Sequence, residues 1–204
     1  MADTMRIGAL ASGAGTTLQA VIDASASGRL AAAVAVVISN NSASGALERA
    51  RRHGIAHRHL SAVTHASERR LDAAIRDTLA EHEVDLVLLA GYMKKLGPLT
   101  LAAFVGRIVN THPALLPKHG GAGMYGSRVH AAVLASGARK TGVSIHLVDG
   151  GYDTGPVLAQ REVPVEPGED VASLTARVQA IEREFLVDVL GRIARGAMAP
   201  SIPF

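Results

Sequence analysis

A chain of 204 residues, 48% of them hydrophobic, can bury the core of one large domain, and this composition excludes an intrinsically disordered protein. The absence of cysteine excludes disulfides and zinc–thiolate sites, so we expect a cytoplasmic protein without a metal. The net charge of +3 is spread along the chain and only 3% of residues are aromatic, which argues against nucleic-acid binding.

The first half of the sequence predicts strands that alternate with amphipathic helices. The predicted strands are 5–11, 32–39, 56–60, 84–91 and 107–111, and the helices are 16–28, 44–54, 66–82 and 97–106. The run VDLVLLAG at 84–91 is apolar on both faces, which is typical of the middle of a parallel sheet. The alternation indicates the α/β class with a doubly wound, mostly parallel, Rossmann-like sheet. No apolar run reaches about 18 residues, so we expect no membrane helix.

The second half predicts a different arrangement. A helix at 126–137 is followed by strands at 141–149 and 156–165, which a short glycine-rich turn joins into an antiparallel C-terminal strand pair. A long closing helix at 169–196 ends the fold. We expect a single domain over residues 1–204, with 197–204 as a loose tail.

Three polar stretches follow predicted strands, where parallel α/β sheets bind their ligands. The first, ASGAGTTLQ at 11–19, combines Gly13 and Gly15 with a helix start, which suits a phosphate. A third glycine is missing, so a mononucleotide or sugar phosphate fits better than a dinucleotide. A tight turn with a threonine N-cap explains the same residues without a ligand.

The second stretch, AGYMKKLGP at 90–98, offers Tyr92, Met93 and Leu96 as an apolar wall or as ordinary hydrophobic residues before a helix. The third, NTHPALLPKHGGAGMYG at 110–126, places Asn110 and His112 two residues apart on an extended segment, so both side chains point the same way. An amide can hold an oxyanion and an imidazole can move a proton. A surface or capping role is the alternative for this histidine.

A carboxylate would tune such a histidine. Asp149 and Asp153 lie in the turn VDGGYDTGP, and an ionised aspartate beside His112 would raise its pKa. Aspartates are also common structural residues of turns. The glycines at 120, 121, 123 and 126 indicate either a mobile flap over the site or a permissive surface loop.

Four motifs, SGAG, AGYM, NTHPALLPK and DTGPVL, occur in an order that resembles the folate-dependent formyltransferases over about residues 5–196. The resemblance is greatest to the branch that formylates glycinamide ribonucleotide. It implies transfer of a formyl group from 10-formyltetrahydrofolate, a co-substrate, to the glycine amine of that ribonucleotide in purine biosynthesis. The chain length favours this branch over methionyl-tRNA formyltransferases, which have an additional C-terminal domain, and over formyltetrahydrofolate deformylases, which have an additional N-terminal one.

The resemblance also implies residue roles. The catalytic residues would be Asn110, His112 and Asp153, with His112 protonated. The ribonucleotide would be bound by Gly15, Thr16, Thr17, Gln179 and Glu182. The folate would be bound by Met93, Lys94, Lys95, Leu96, Asn110, Asp149, Gly150, Gly151, Tyr152 and Asp153.

The sequence departs from the family pattern in three places. Thr16–Thr17 stands where the family usually has Ser–Asn, Glu68 stands where some members have a folate-binding arginine, and the segment after Lys118 is several residues longer. The resemblance suggests a cis Leu116–Pro117 bond and leaves open whether the protein is a homodimer.

Other functions stay open at this point. One is formyl transfer to another amine, such as an amino sugar nucleotide. The others are a nucleotide-binding module without catalysis, which predicts no convergence of Asn110, His112 and Asp153, and an RNA-binding protein, which predicts a continuous basic surface.

Overall fold

The computed structural model describes residues 4–199, and residues 200–204 of the predicted tail at 197–204 lie outside them. The strands are β1 (Met5–Leu10), β2 (Ala32–Ser39), β3 (Ala56–His59), β4 (Leu86–Leu89), β5 (Ile108–His112), β6 (Lys140–Leu147) and β7 (Val157–Pro164). The helices are α1 (Thr16–Ala26), α2 (Gly45–Arg52), α3 (Glu68–Glu81), α4 (Pro98–Ala103), α5 (Ser127–Ala135) and α6 (Val171–Ala194). Each predicted element is confirmed, with ends that shift by a few residues.

The strands form one sheet in the order β3-β2-β1-β4-β5-β6-β7. The strands β1 to β5 pair in parallel, and β6 and β7 form the predicted antiparallel pair. The structure adds that β6 is also antiparallel to β5, with Asn110 opposite His146. The sequence did not reveal this pairing, which becomes important at the site.

Apolar side chains cover both faces of the sheet because successive strand residues point to opposite sides. On β2, Val37 packs in the core beneath α1 and α6, whereas Val36 and Ile38 pack in the core beneath α3. Helix α6 packs against α1, so the closing helix lies beside the loop that follows β1. Among residues 4–199, no helix is long and apolar enough to cross a membrane.

The chain leaves β1 toward β2 on one side, and β4 lies on the other, so the strand order reverses at β1. The loops after β1, β4 and β5 therefore leave neighbouring strands around this switch point, where doubly wound sheets form their ligand crevice. The turn between β6 and β7 brings Asp153 to the same crevice.

Candidate active site

The loop after β1 presents an uncapped helix start. Gly15 is the N-cap of α1 at φ 72°, and no side chain caps the helix, so the threonine N-cap considered above is wrong. A side chain at Gly15 would be strained by this φ and would meet the α2 backbone, since a Cβ would lie 2.8 Å from the Cα of Ala46. The first-turn N–H groups are free of side-chain caps and can bind an anion.

Helix α6 contributes a carboxylate beside this loop. Glu182 is buried, and the Thr17 hydroxyl donates to its Oε1 at 3.3 Å. Burial raises the pKa of Glu182, and the hydroxyl contact only partly offsets this. Gln179 lies one helical turn earlier and lines the same cavity. A buried carboxylate next to an uncapped helix start can accept hydrogen bonds from the hydroxyl groups of a ligand.

Asn110 is held by a histidine from the neighbouring strand. The ring of His146 donates from Nδ1 to the Leu147 carbonyl at 2.8 Å, because a carbonyl oxygen only accepts. In the neutral ring, Nε2 is then an acceptor, and the Asn110 amide donates to it at 3.0 Å. The same amide nitrogen lies 3.5 Å from Oδ1 of Asp153, a long contact that a better acceptor can replace.

His112 is buried at the end of β5, with only 3% of its surface exposed. Its Nε2 lies 2.8 Å from the His119 carbonyl oxygen and its Nδ1 lies 3.4 Å from Oδ2 of Asp153. Burial lowers the pKa of His112, and the opposing effects of Asp153 and the His119 carbonyl are smaller. The pKa of His112 therefore lies below its ordinary value in the free protein, because desolvation outweighs the aspartate. The protonated His112 expected above for the reaction intermediate stays a prediction.

Asp153 connects the two histidines. Its Oδ1 lies 3.5 Å from Nε2 of His146, and the Gly121 N–H donates to its Oδ2 at 3.0 Å. Burial works to raise the pKa of Asp153, but His146 when protonated, the Gly121 N–H and His112 when protonated outweigh it and lower the pKa. The carboxylate is therefore ionised at neutral pH.

Two loops form the other wall of the crevice. Lys95, after β4, places its Nζ 4.5 Å from the ring centroid of Tyr152, after β6, in a cation–π contact between the loops. The Ser12 hydroxyl accepts from the Met93 N–H at 2.8 Å, which ties this wall to the loop after β1. This wall is largely apolar, with the exposed Lys94 and Lys95 at its edge.

One continuous cavity joins these parts. The predicted site residues that line it are Thr16, Thr17, Met93, Lys94, Lys95, Leu96, Asn110, His112, Gly150, Gly151, Tyr152, Asp153, Gln179 and Glu182. Gly15 does not line the cavity, and its role is that of the N-cap of α1. Asp149 does not line the cavity, because its Oδ1 accepts from the Gly151 N–H at 3.0 Å and the Thr154 hydroxyl at 2.7 Å. Asp149 therefore shapes the turn that presents Asp153.

The chain matches a protein-family model described as formyl transferase over residues 5–190. Phosphoribosylglycinamide formyltransferase from Mycobacterium tuberculosis (strain H37Rv) is 40% identical over 189 residues, which cover 93% of this chain and 85% of that protein. The chain belongs to the phosphoribosylglycinamide formyltransferase family. The chloroplastic relative from Vigna unguiculata is also 40% identical over 91% of this chain, but the chain spans only 59% of its length.

Solved structures of the formyltransferase family share this fold. Glycinamide ribonucleotide transformylase 1 from Symbiobacterium toebii superposes with a TM-score of 0.88 at 39% identity, over 95% of this chain and 89% of that one. The doubly wound sheet, the antiparallel strand pair and the closing helix are therefore the formyltransferase fold.

Two further histidines, His146 and His130, belong to the site, although the sequence pattern predicts no site role for either. His146 contacts both Asn110 and Asp153, and buried His130 lines the cavity near His112. A histidine within the otherwise apolar run TGVSIHLVD could have pointed to a functional role for His146. Only the register of β6 on β5, however, places His146 opposite Asn110. Among residues 4–199, no group of three or more His, Asp or Glu side chains could hold a metal ion.

Proposed function

We propose that this protein transfers the formyl group of 10-formyltetrahydrofolate to the glycine amine of glycinamide ribonucleotide, giving formylglycinamide ribonucleotide and tetrahydrofolate. The observation that carries the proposal is the convergence of Asn110, His112 and Asp153 in one cavity between an anion-binding helix start and an apolar wall. A nucleotide-binding module without catalysis would not need this convergence.

The ribonucleotide would bind at the α1 side of the cavity. Its phosphate suits the free N–H groups of Thr16 and Thr17, and its ribose suits Gln179 and Glu182 on α6. The folate would lie against the opposite wall, formed by residues 93–96 and 150–153. This arrangement directs the glycine amine and the formyl carbon toward Asn110 and His112, which lie between the two walls.

The reaction begins when the amine attacks the formyl carbon. A carbon–nitrogen bond forms, and the carbonyl oxygen becomes negative. The Asn110 amide would donate to this oxygen through the hydrogen that points toward Asp153. That hydrogen is available because the Asn110 Nδ2 to Asp153 Oδ1 distance is long, at 3.5 Å. His112, neutral in the free protein because burial lowers its pKa, would accept the amine proton, and Asp153 would stabilise the resulting imidazolium.

The intermediate then collapses. The bond between the formyl carbon and the folate nitrogen breaks, and that nitrogen takes the proton held by His112, so the enzyme returns to its starting state. Every proton moves between groups already named, and no metal is needed in this scheme. Formyl transfer to a different amine would use the same chemistry with another acceptor.

The experiment compares the wild-type protein with His112→Ala and Asn110→Ala variants in a folate absorbance assay with glycinamide ribonucleotide. We expect each variant to lose turnover by about 10²–10³-fold, because removing one oxyanion donor or proton acceptor has an effect of this order. Circular dichroism should report an unchanged fold. Near-normal turnover in folded His112→Ala would contradict the mechanism, and turnover with another amine alone would contradict the substrate.

A further inference from the structure

His119, Gly120 and Gly121 belong to the segment after Lys118 that is longer than in the family pattern. Their backbone contacts the side chains of His112 and Asp153. The His119 carbonyl oxygen lies 2.8 Å from Nε2 of His112. Two residues later, the Gly121 N–H donates to Oδ2 of Asp153 at 3.0 Å. The same short turn therefore holds the histidine from one side and the aspartate from the other.

The carbonyl contact determines which ring nitrogen of His112 carries a hydrogen. A carbonyl oxygen only accepts, so Nε2 must donate to His119. In the neutral ring, Nδ1 is then the nitrogen without a hydrogen, and it lies 3.4 Å from Oδ2 of Asp153. A proton taken up by His112 is therefore placed on Nδ1, between the ring and the carboxylate.

Gly120 makes this close approach possible. A Cβ at this position would lie 2.5 Å from Cδ2 of Leu116 and 3.3 Å from Cβ of Asp153. The first contact is shorter than real side chains allow, so an alanine at 120 forces either the end of the buried Leu116 side chain or the turn itself to shift. The backbone at Gly120 has no positive φ, so such a substitution acts through contact and not through backbone strain.

We propose that the backbone of His119–Gly121 is a positioning element of the active site, which fixes the ring of His112 and makes Nδ1 its proton-accepting atom. This inference rests on the proposed function, in which His112 accepts the proton of the amine. The titratable groups that face His112 are Asp153, His146, the side chain of His119, and His130. Among them, Asp153 is the anion, and the turn orients it as well.

The first test observes the ring nitrogens of His112 without any reaction. Protein labelled with ¹⁵N-histidine is studied by NMR above the titration range of His112, and the resonances are assigned with a His112→Gln variant. We expect a hydrogen on Nε2 and none on Nδ1 in the wild-type protein. In Gly120→Ala we expect a population with the hydrogen on Nδ1, where it can donate to Asp153. A wild-type ring with its hydrogen on Nδ1 would overturn the proposal.

The second test measures the pH dependence of turnover. In Gly120→Ala we expect kcat to fall about tenfold or more, since small displacements of catalytic groups have effects of this size, whereas KM for both substrates changes little. The kinetic pKa of His112 should also fall, because the His119 carbonyl and Asp153 both raise it. Adding Leu116→Val, which removes the atom that the new Cβ would meet, should restore part of both changes.

Ala122→Ser is the matched control, since Ala122 is exposed in the same segment and should keep the wild-type profile. A folded Gly120→Ala variant with the wild-type pH profile and ring tautomer would overturn the proposal. If Gly120→Ala does not fold, the position of the hydrogen on the His112 ring of the wild-type protein alone tests the proposal. A wild-type protein with the expected tautomer but no formyl transfer would refute the proposed function and leave the positioning role intact.

Discussion

At the scale of single residues, the reactivity of the site depends on how burial and charge act on His112. Burial lowers its pKa, and Asp153, whose Oδ2 is 3.4 Å from Nδ1, raises it. Because burial outweighs the charge of Asp153, the neutral form of the ring is favoured and can accept a proton. Once the ring is protonated, the Asp153 carboxylate beside it stabilises the positive charge.

Replacing Asp153 with asparagine should reveal this balance. The variant loses the charge that raises the pKa of His112, so that pKa should fall further. Because neutral His112 is the proton acceptor, the acidic limb of the pH–kcat profile should move to lower pH, while kcat itself falls by at least about tenfold. Asp188→Asn is the control, since Asp188 is an exposed aspartate of α6 that does not line the cavity. An acidic limb that stays at the wild-type pH in Asp153→Asn would contradict this role.

Glu182 illustrates a conflict between stability and binding. Its pKa is raised by burial, so its ionised form destabilises the folded state, and stability is lost as the pH rises through the folded-state pKa. Glu182→Gln should therefore raise the melting temperature by a few degrees at pH 8, with a smaller gain near pH 4. Because a charged hydrogen-bond acceptor is lost, KM for the ribonucleotide should rise about tenfold.

Thermal unfolding at the two pH values checks the stability change of Glu182→Gln, and steady-state kinetics check the KM. The exposed neighbour Glu184, on the same helix, provides the control Glu184→Gln, which should change neither quantity. A Glu182→Gln variant that is less stable than the wild type at pH 8 would contradict the account of burial.

At the scale of elements, the wall proposed to face the folate depends on a distant carboxylate. Helix α4 is only six residues long and begins directly after residues 91–97, the loop after β4 that forms part of this wall. Asp72 of α3 is buried and accepts from the Leu99 N–H at 2.7 Å, the Thr100 N–H at 3.0 Å and the Thr100 hydroxyl at 2.6 Å. A side chain on α3 therefore caps α4 and anchors the end of the wall.

Asp72→Ala should destabilise the protein by about 1–3 kcal/mol, because buried donors are left without an acceptor. Urea unfolding would measure the change. Asp77→Ala, on the exposed side of α3, is the control and should have little effect, since its ion pair with Arg76 is largely exposed. Equal stabilities of the two variants would show that the Asp72 contacts contribute nothing.

The sequence predicted the elements well because apolar runs and their periods reflect burial directly. Asn110 and His112 could be placed together because strand residues two apart share a side, and Asp153 could be associated with them through the resemblance. His146 could not be assigned, because the register of β6 on β5 is a tertiary property. The backbone contacts of 119–121 were equally hidden, since carbonyl and N–H groups leave no signature in side-chain identity.

At the scale of the whole molecule, the fold brings the two proposed subsites to one crevice. Helix α6 returns to α1 on the side proposed for the ribonucleotide, while the turn between β6 and β7 lies on the side proposed for the folate. The most basic stretch of the sequence, RARRHGIAHRH at 49–59, contributes to α2 and β3. Within α2, Arg51 and Arg52 pair with Glu48. A homodimer, a cytoplasmic location and the absence of nucleic-acid binding stay predictions.

In the proposed function, the crevice transfers a formyl group between two small molecules. The most direct measurement supplies 10-formyltetrahydrofolate labelled with ¹³C in the formyl group, together with glycinamide ribonucleotide, and follows the label by mass spectrometry. We expect the label on the glycine nitrogen of the ribonucleotide, with equal amounts of tetrahydrofolate and of labelled ribonucleotide, and no transfer by His112→Ala. Label released as formate, or a ribonucleotide that stays unlabelled, would contradict the account.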